Sequence, residues 1–280
     1  MNNQTYDKIT AQIIAQMERG TIPWKKTWSA GQQAINYVTR KPYQGVNVLL
    51  LPEPGEYLTF NQVKELKGYV RQGEKANMVC FWKILEDTDD KGKIKTIPLL
   101  RYYYVFHLSQ CEGIKTKIID TGKDNSTKHE PEAVVNKYVS NSGLTFKPTK
   151  GSLSAYYSPV RDMVVVPDIQ QFDSAEAYYS TAFHELVHST GHSSRLDRFS
   201  KNGDQYFGSE LYSKEELTAE IGAAFLNEHT GINTVPLFNN TIAYLQGWIK
   251  VLKNDTKMIV HASGQATKAV NMILGFEPTF

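Results

Sequence analysis

The sequence predicts an α+β chain of two domains, one small and mixed and one richer in helix. Three observations lead there. A length of 280 residues with 41% hydrophobic content gives room for more than one core. Strand-like runs dominate the first half, whereas long helical periodicities dominate the second. Between them, residues 121–130 are polar, lack periodicity and contain turn formers, so they are read as a linker joining domains at 1–120 and 131–280.

The elements follow in order. Residues 6–19 place Ile9, Ile13 and Met17 at helical spacing, and Gly20 and Pro23 end the pattern. A loop holding Trp24, Lys25, Lys26 and Trp28 follows, and a short helix is expected over 61–67, stopped by Gly68. Residues 78–85 and 101–108 are rich in aromatic and β-branched side chains and read as strands. In the second half a helix is expected at 131–140, with Val134, Val135, Tyr138 and Val139 on its apolar face. Short strands at 154–157 and 163–166 come next, joined by a turn, and then helices at 174–190, 213–229 and 240–252 and one running towards Leu274.

Charge and composition narrow the classes. No run of eighteen apolar residues occurs, and the polar first ten residues lack the layout of a signal peptide, so a cytoplasmic protein with no membrane partner is expected. Cys80 and Cys111 lack metal spacing and are expected to be reduced thiols. Net charge is +2, but residues 1–120 carry 17 Lys/Arg against 12 Asp/Glu, and the remainder 14 against 17. A basic half joined to an acidic half suggests two different partners.

The strongest chemical signal is His184-Glu185-Leu186-Val187-His188. Histidines four apart share one helix face and can reach one Zn2+, while Glu185 beside them can take a proton from water. A catalytic zinc needs a third protein ligand and an open position. Extension to H-E-x-x-H-x-x-G-x-x-H finds Gly191 but then Ser194 in place of histidine, so the metzincin pattern fails there. His192 would need a change of chain direction to reach the metal. In residues 215–225, Leu217, Ile221, Ala224 and Phe225 mark a buried stripe, with Glu216 and Glu220 one turn apart on a neighbouring face. The spacing resembles that of gluzincins. By that resemblance Glu216 is the third ligand and Glu220 orients a ligand histidine, with the reverse order as the alternative. Donors for a developing oxyanion are sought among Tyr206, Tyr212, His229 and His261, and residues 163–166 could form either an edge that pairs with a peptide or a plain core strand.

Residues 1–120 hold three of the four tryptophans and a run Tyr102-Tyr103-Tyr104, interleaved with lysine and arginine. Such a mixture suits single-strand binding, and it also suits an ordinary aromatic core under a basic surface. Several ordered blocks carry a more specific likeness: Ile22-Pro23-Trp24, Lys41-Pro42-Tyr43-Gln44-Gly45-Val46-Asn47, Tyr57-Leu58-Thr59-Phe60-Asn61-Gln62-Val63, Gln72-Gly73-Glu74-Lys75 and Tyr104-Val105-Phe106-His107-Leu108-Ser109-Gln110. Together with the His184–His188 helix they resemble the ArdC antirestriction family over nearly the whole chain. The resemblance implies an N-terminal domain that binds single-stranded DNA, also found at the front of some plasmid primases. It implies a C-terminal zincin-like metallopeptidase domain; with the gluzincin-like spacing, the expectation is one Zn2+ per chain held by His184, His188 and Glu216, with Glu185 as general base and an unidentified protein as substrate. It further implies a role on mobile elements, shielding DNA from restriction enzymes. Candidate DNA contacts are Trp24, Lys25, Lys26, Trp28, Arg40, Tyr43, Arg71 and Lys75. The alternatives are a non-catalytic DNA-binding protein whose metal is structural or vestigial, and a plain zinc peptidase.

Overall fold

The structure, a computed structural model, describes residues 3–24, 33–88, 94–118, 130–199, 210–232 and 242–276. It divides into two compact units: Met1–Ala15 with Gln32–Lys123, and Gln16–Gly31 with Asp124–Phe280. Helices and strands occur in both, as the α+β expectation requires. The later boundary falls inside the polar stretch. Gln16–Gly31, expected in the first domain, groups with the second unit instead. The first helix, α1 (Gln4–Glu18), buries Ile9, Ile13 and Met17, the residues whose spacing predicts it.

In the first unit, β1 (Ala34–Asn36), β2 (Gly55–Leu58), β4 (Asn77–Thr88) and β5 (Ile94–His107) form a sheet in the order β1-β2-β5-β4, with β1 and β2 parallel. β4 and β5 make a long antiparallel hairpin, in register from Asn77 opposite Val105 to Thr88 opposite Ile94. A two-stranded ribbon of β3 (Tyr69–Val70) and β6 (Cys111–Glu112) stands apart in pairing. Two short helices, α2 (Val46–Leu50) and α3 (Phe60–Glu65), connect these strands. Thr59 starts α3 with a capping box: its hydroxyl accepts from the Gln62 backbone N–H, and the Gln62 side chain accepts in return. Leu51, Tyr57, Val79 and Val105 form one buried cluster, and Tyr37, Leu58, Val63 and Cys111 form another. Both thiols are free, and burial pushes Cys80 up to about 12 and Cys111 upward as well, so both are protonated and inert at neutral pH.

In the second unit, α4 (Pro131–Ser142) precedes a three-stranded sheet of β7 (Thr145–Thr149), β8 (Tyr156–Ser158) and β9 (Met163–Pro167). The order is β7-β9-β8, with β9 parallel to β7 and antiparallel to β8. β9 is therefore the central strand, with Val164, Val165 and Val166 buried, and not an edge. The edges beside it are β7 and β8. Among the described residues four α-helices follow: α5 (Ala175–Ser189), α6 (Glu210–Thr230), α7 (Ile242–Asn254) and α8 (Met258–Leu274). α5 is the pillar of this unit, packing on α4, α6, α8, β8 and β9. Its Phe183, Leu186 and Val187 are wholly buried, each contributing about 1.5–3 kcal/mol of burial free energy. The Ser174 hydroxyl caps the helix by accepting from the Ala177 backbone N–H, at about 1 kcal/mol.

Candidate functional site

The apolar face of α5 fixes where its polar face points. With Phe183, Leu186 and Val187 in the core, His184 and His188 lie on the neighbouring face, one turn apart. α6 crosses this face closely because residue 222 is glycine: a Cβ there would stand 2.8 Å from Val187 Cγ2. The close approach delivers Glu216 to the two histidines. His184 Nε2 and His188 Nε2 are 3.1 Å apart, and the Glu216 carboxylate lies 3.5 Å from the first and 3.4 Å from the second.

These three side chains fit a divalent cation, with Glu216 Oε2 nearer His184 and Oε1 nearer His188. Tetrahedral zinc with bonds near 2.1 Å sets its ligand atoms about 3.4 Å apart, close to the observed triangle. The donor chemistry agrees. His188 Nδ1 lies 3.2 Å from the Glu215 carboxylate, so a proton held there leaves Nε2 able to give its lone pair to a cation. His184, His188 and Glu216 also form the one group of three or more such side chains with convergent ligand atoms among the described residues.

Glu215, not Glu220, meets His188 from behind. Its carboxylate is buried and also accepts two bonds from Arg198, from Nε at 2.9 Å and Nη2 at 2.6 Å. Arg198 is itself buried and anchored by Thr190 Oγ1 and the Val187 carbonyl. Burial would raise the Glu215 pKa, but Arg198 and His188 hold it below the usual carboxylate range. Glu220, one turn further along α6, faces Tyr244 and bonds neither histidine. The sequence carried a signal for Glu215: it heads the stripe Ala219, Gly222, Ala223 and Leu226, the small, buried face by which α6 meets α5.

Glu185 is the fourth element of the centre, with 8% of its surface exposed. Burial pushes its carboxyl above the usual range, against the pull of His188 and His184 and of the Tyr157 backbone N–H on β8. A raised carboxyl pKa suits a general base that must later return its proton. Despite its burial, His188 is raised to about 10 by bonds to Glu215 and Glu216, and Glu216 is lowered strongly.

The other candidates fall elsewhere. His192 bonds the Ser194 hydroxyl at 2.8 Å, and neither residue joins the convergent group of His184, His188 and Glu216. Gly191, the residue the longer zinc motif shares, serves packing here: a Cβ would come within 2.7 Å of the Phe199 ring, which lies against Tyr157 of β8. His229 is thirteen residues beyond Glu216 on α6, about 20 Å along the axis, and His261 faces Asp255, Lys214 and Lys257. Tyr206 and the Tyr212 side chain lie outside the described residues.

Of the candidate DNA contacts, Trp24 is buried, 3% exposed, and packs edge-on against Trp248 in the second unit, so its ring is not open to a base. Tyr43 packs edge-on against Tyr57 with its hydroxyl buried, and is a core residue. Arg40 is paired with the buried Glu56, and Arg71 with Glu74 at 2.6 Å. Lys75 is exposed. Lys25, Lys26 and Trp28 lie outside the described residues. Among the described residues of the first unit, the exposed aromatic side chains are Phe81, Trp82 and Tyr104 on the β4–β5 hairpin, with Phe60 of α3 and Tyr69 of β3.

Comparison with known proteins agrees with both halves. A family model described as the N-terminal domain of anti-restriction factor ArdC matches residues 3–106, and one described as a zincin-like metallopeptidase matches residues 133–265. The crystal structure of the antirestriction ArdC protein from R388 plasmid, in its metal-free form, is 34% identical, with a TM-score of 0.76 over 98% of this chain and 100% of that one. Its Mn(II)-bound form gives 0.75 over 96% and 97%. DNA primase TraC of Escherichia coli is 33% identical over 301 residues, which are 97% of this chain and 27% of the primase. The chain thus spans about a quarter of that relative's length.

Proposed function

This chain belongs to the ArdC antirestriction family, and from that premise we propose that its first unit binds DNA as a single strand and its second hydrolyses a peptide bond in a protein. The observation that carries the second half is the triangle of His184, His188 and Glu216 with Glu185 beside it. Zinc is the metal proposed, and the same donor set accepts Mn(II), the ion in the relative's structure.

A divalent cation bound by His184, His188 and Glu216 would supply Lewis acidity to the reacting carbonyl. The remaining work belongs to the chain itself. Glu185 accepts the proton of the attacking water as the new C–O bond forms, then returns it to the amide nitrogen as the C–N bond breaks. Glu215, gripped by Arg198, keeps the His188 proton on Nδ1 and the ring oriented. β8 offers an edge to which an extended peptide can add as a strand, with Tyr157 running past Glu185.

The two halves are tested on the purified full chain. After chelation and reloading, one equivalent of Zn2+ or Mn2+ per chain is expected, and a labelled single-stranded oligonucleotide should bind with strong salt dependence and weak competition by duplex. A chain that takes up no metal, or that prefers duplex, would remove the corresponding half of the reading.

A further inference from the structure

Beyond Cys80 the β4–β5 hairpin leaves its packing. Val79 and Val105 are fully buried, whereas Phe81 is 44%, Trp82 48%, Ile84 57% and Tyr104 51% exposed. The register divides these side chains between two faces. Phe81 stands directly opposite Arg101, with Val79 opposite Tyr103 on one side of that pair and Lys83 opposite Leu99 on the other. Because side chains alternate along a strand, Phe81, Lys83, Arg101 and Tyr103 share one face, and Trp82, Ile84, Tyr102 and Tyr104 the other.

The two faces differ in their cations. On the Phe81 face, Arg101 and Lys83 are exposed, and neither has a carboxylate partner among the described residues. Tyr103 braces the Phe81 ring at 5.7 Å. On the opposite face Tyr6 of α1 lies edge-on to Trp82 at 6.4 Å, and Lys8 is engaged by Tyr102, whose hydroxyl it bonds. An exposed ring flanked by cations that have no carboxylate partner among the described residues matches a ligand that alternates planar bases with phosphates. The free edge of β4 is blocked where the exposed face begins: the Asn47 side chain of α2 bonds both the backbone N–H and the carbonyl of Cys80, which disfavours strand addition by another chain.

Resting on the proposal that the first unit binds single-stranded DNA, we propose that the Phe81 face of the hairpin is where it docks, with a base stacked on Phe81 and phosphates held by Lys83 and Arg101. The test is anisotropy of a labelled oligothymidine with the full chain across a salt series, the folded state of each variant being checked by its thermal midpoint. Phe81→Ala should weaken binding roughly 5- to 150-fold, the loss of one stacked base, and leave the salt slope unchanged, and Phe81→Tyr should bind like the parent. Lys83→Ala/Arg101→Ala should lower the slope of log K against log salt by about 1.4, or about 0.7 for each phosphate contact on a single strand. Trp82→Ala should bind like the parent. Parent-like binding by Phe81→Ala and the double variant, or a loss confined to Trp82→Ala, would overturn the face while sparing the function. A parent chain that fails to bind at low salt would overturn both.

Discussion

His188 sits between two carboxylates and another imidazole, and its protonation governs the metal centre. Without a cation it is raised to about 10 from an ordinary 6.5. A group raised in the folded state contributes stability that is complete below its unfolded pKa and is lost as pH rises through the folded one. The metal-free protein should therefore lose stability between pH 6.5 and about 10, while cation binding, which displaces that proton, should strengthen over the same window. Thermal unfolding with and without Zn2+ at pH 6 and pH 9 checks this, and the metal-induced rise in Tm is expected to be larger at pH 9. Glu215→Gln should strand the buried Arg198 charge, destabilise the protein by about 3–5 kcal/mol and weaken metal binding 10- to 100-fold, as read by denaturant unfolding and competitive chelation. Glu220→Gln should leave metal affinity unchanged, because that carboxyl faces Tyr244. The convergence of His184 and His188 was legible because a spacing of four on a helix has one geometric meaning. Glu215 was legible only through the small, buried stripe it heads, since two adjacent glutamates differ only in which face of α6 they meet, and tertiary packing decides that.

At the scale of the element, the centre depends on how closely α6 approaches α5. Gly222→Ala would force a methyl into Val187, costing about 1–3 kcal/mol and displacing Glu216 from the histidines. A lowered Tm together with reduced metal affinity is expected, and Val187→Ala in the same chain should restore part of both. The long helices were readable because their apolar faces repeat over several turns. Shorter pieces were not: β1 and β2 span three and four residues, too few for a period to show. β7 contains Pro148, which argues against a strand, yet β7 is an edge, where a missing N–H is tolerated. Missing β7 had a consequence, because it is the parallel partner that makes β9 central, with β7 and β8 as the two edges.

Over the whole molecule, the uneven charge and the polar stretch after residue 120 pointed to two domains, but the assignment of Gln16–Gly31 to the second unit could not be read from composition. Trp24 shows why: a tryptophan beside lysines reads as a stacking residue until a distant Trp248 is found against it. No helix among the described residues is long and apolar enough to cross a membrane. The proposed DNA binding of the first unit and the proposed chemistry of Glu185 serve one antirestriction activity. The most direct test transfers unmodified DNA by conjugation into restricting recipients that express either the parent chain or Glu185→Gln. The variant should bind metal and single-stranded DNA like the parent but lose protection of the incoming DNA. Full protection by Glu185→Gln would contradict the account and leave a protein that protects by binding alone.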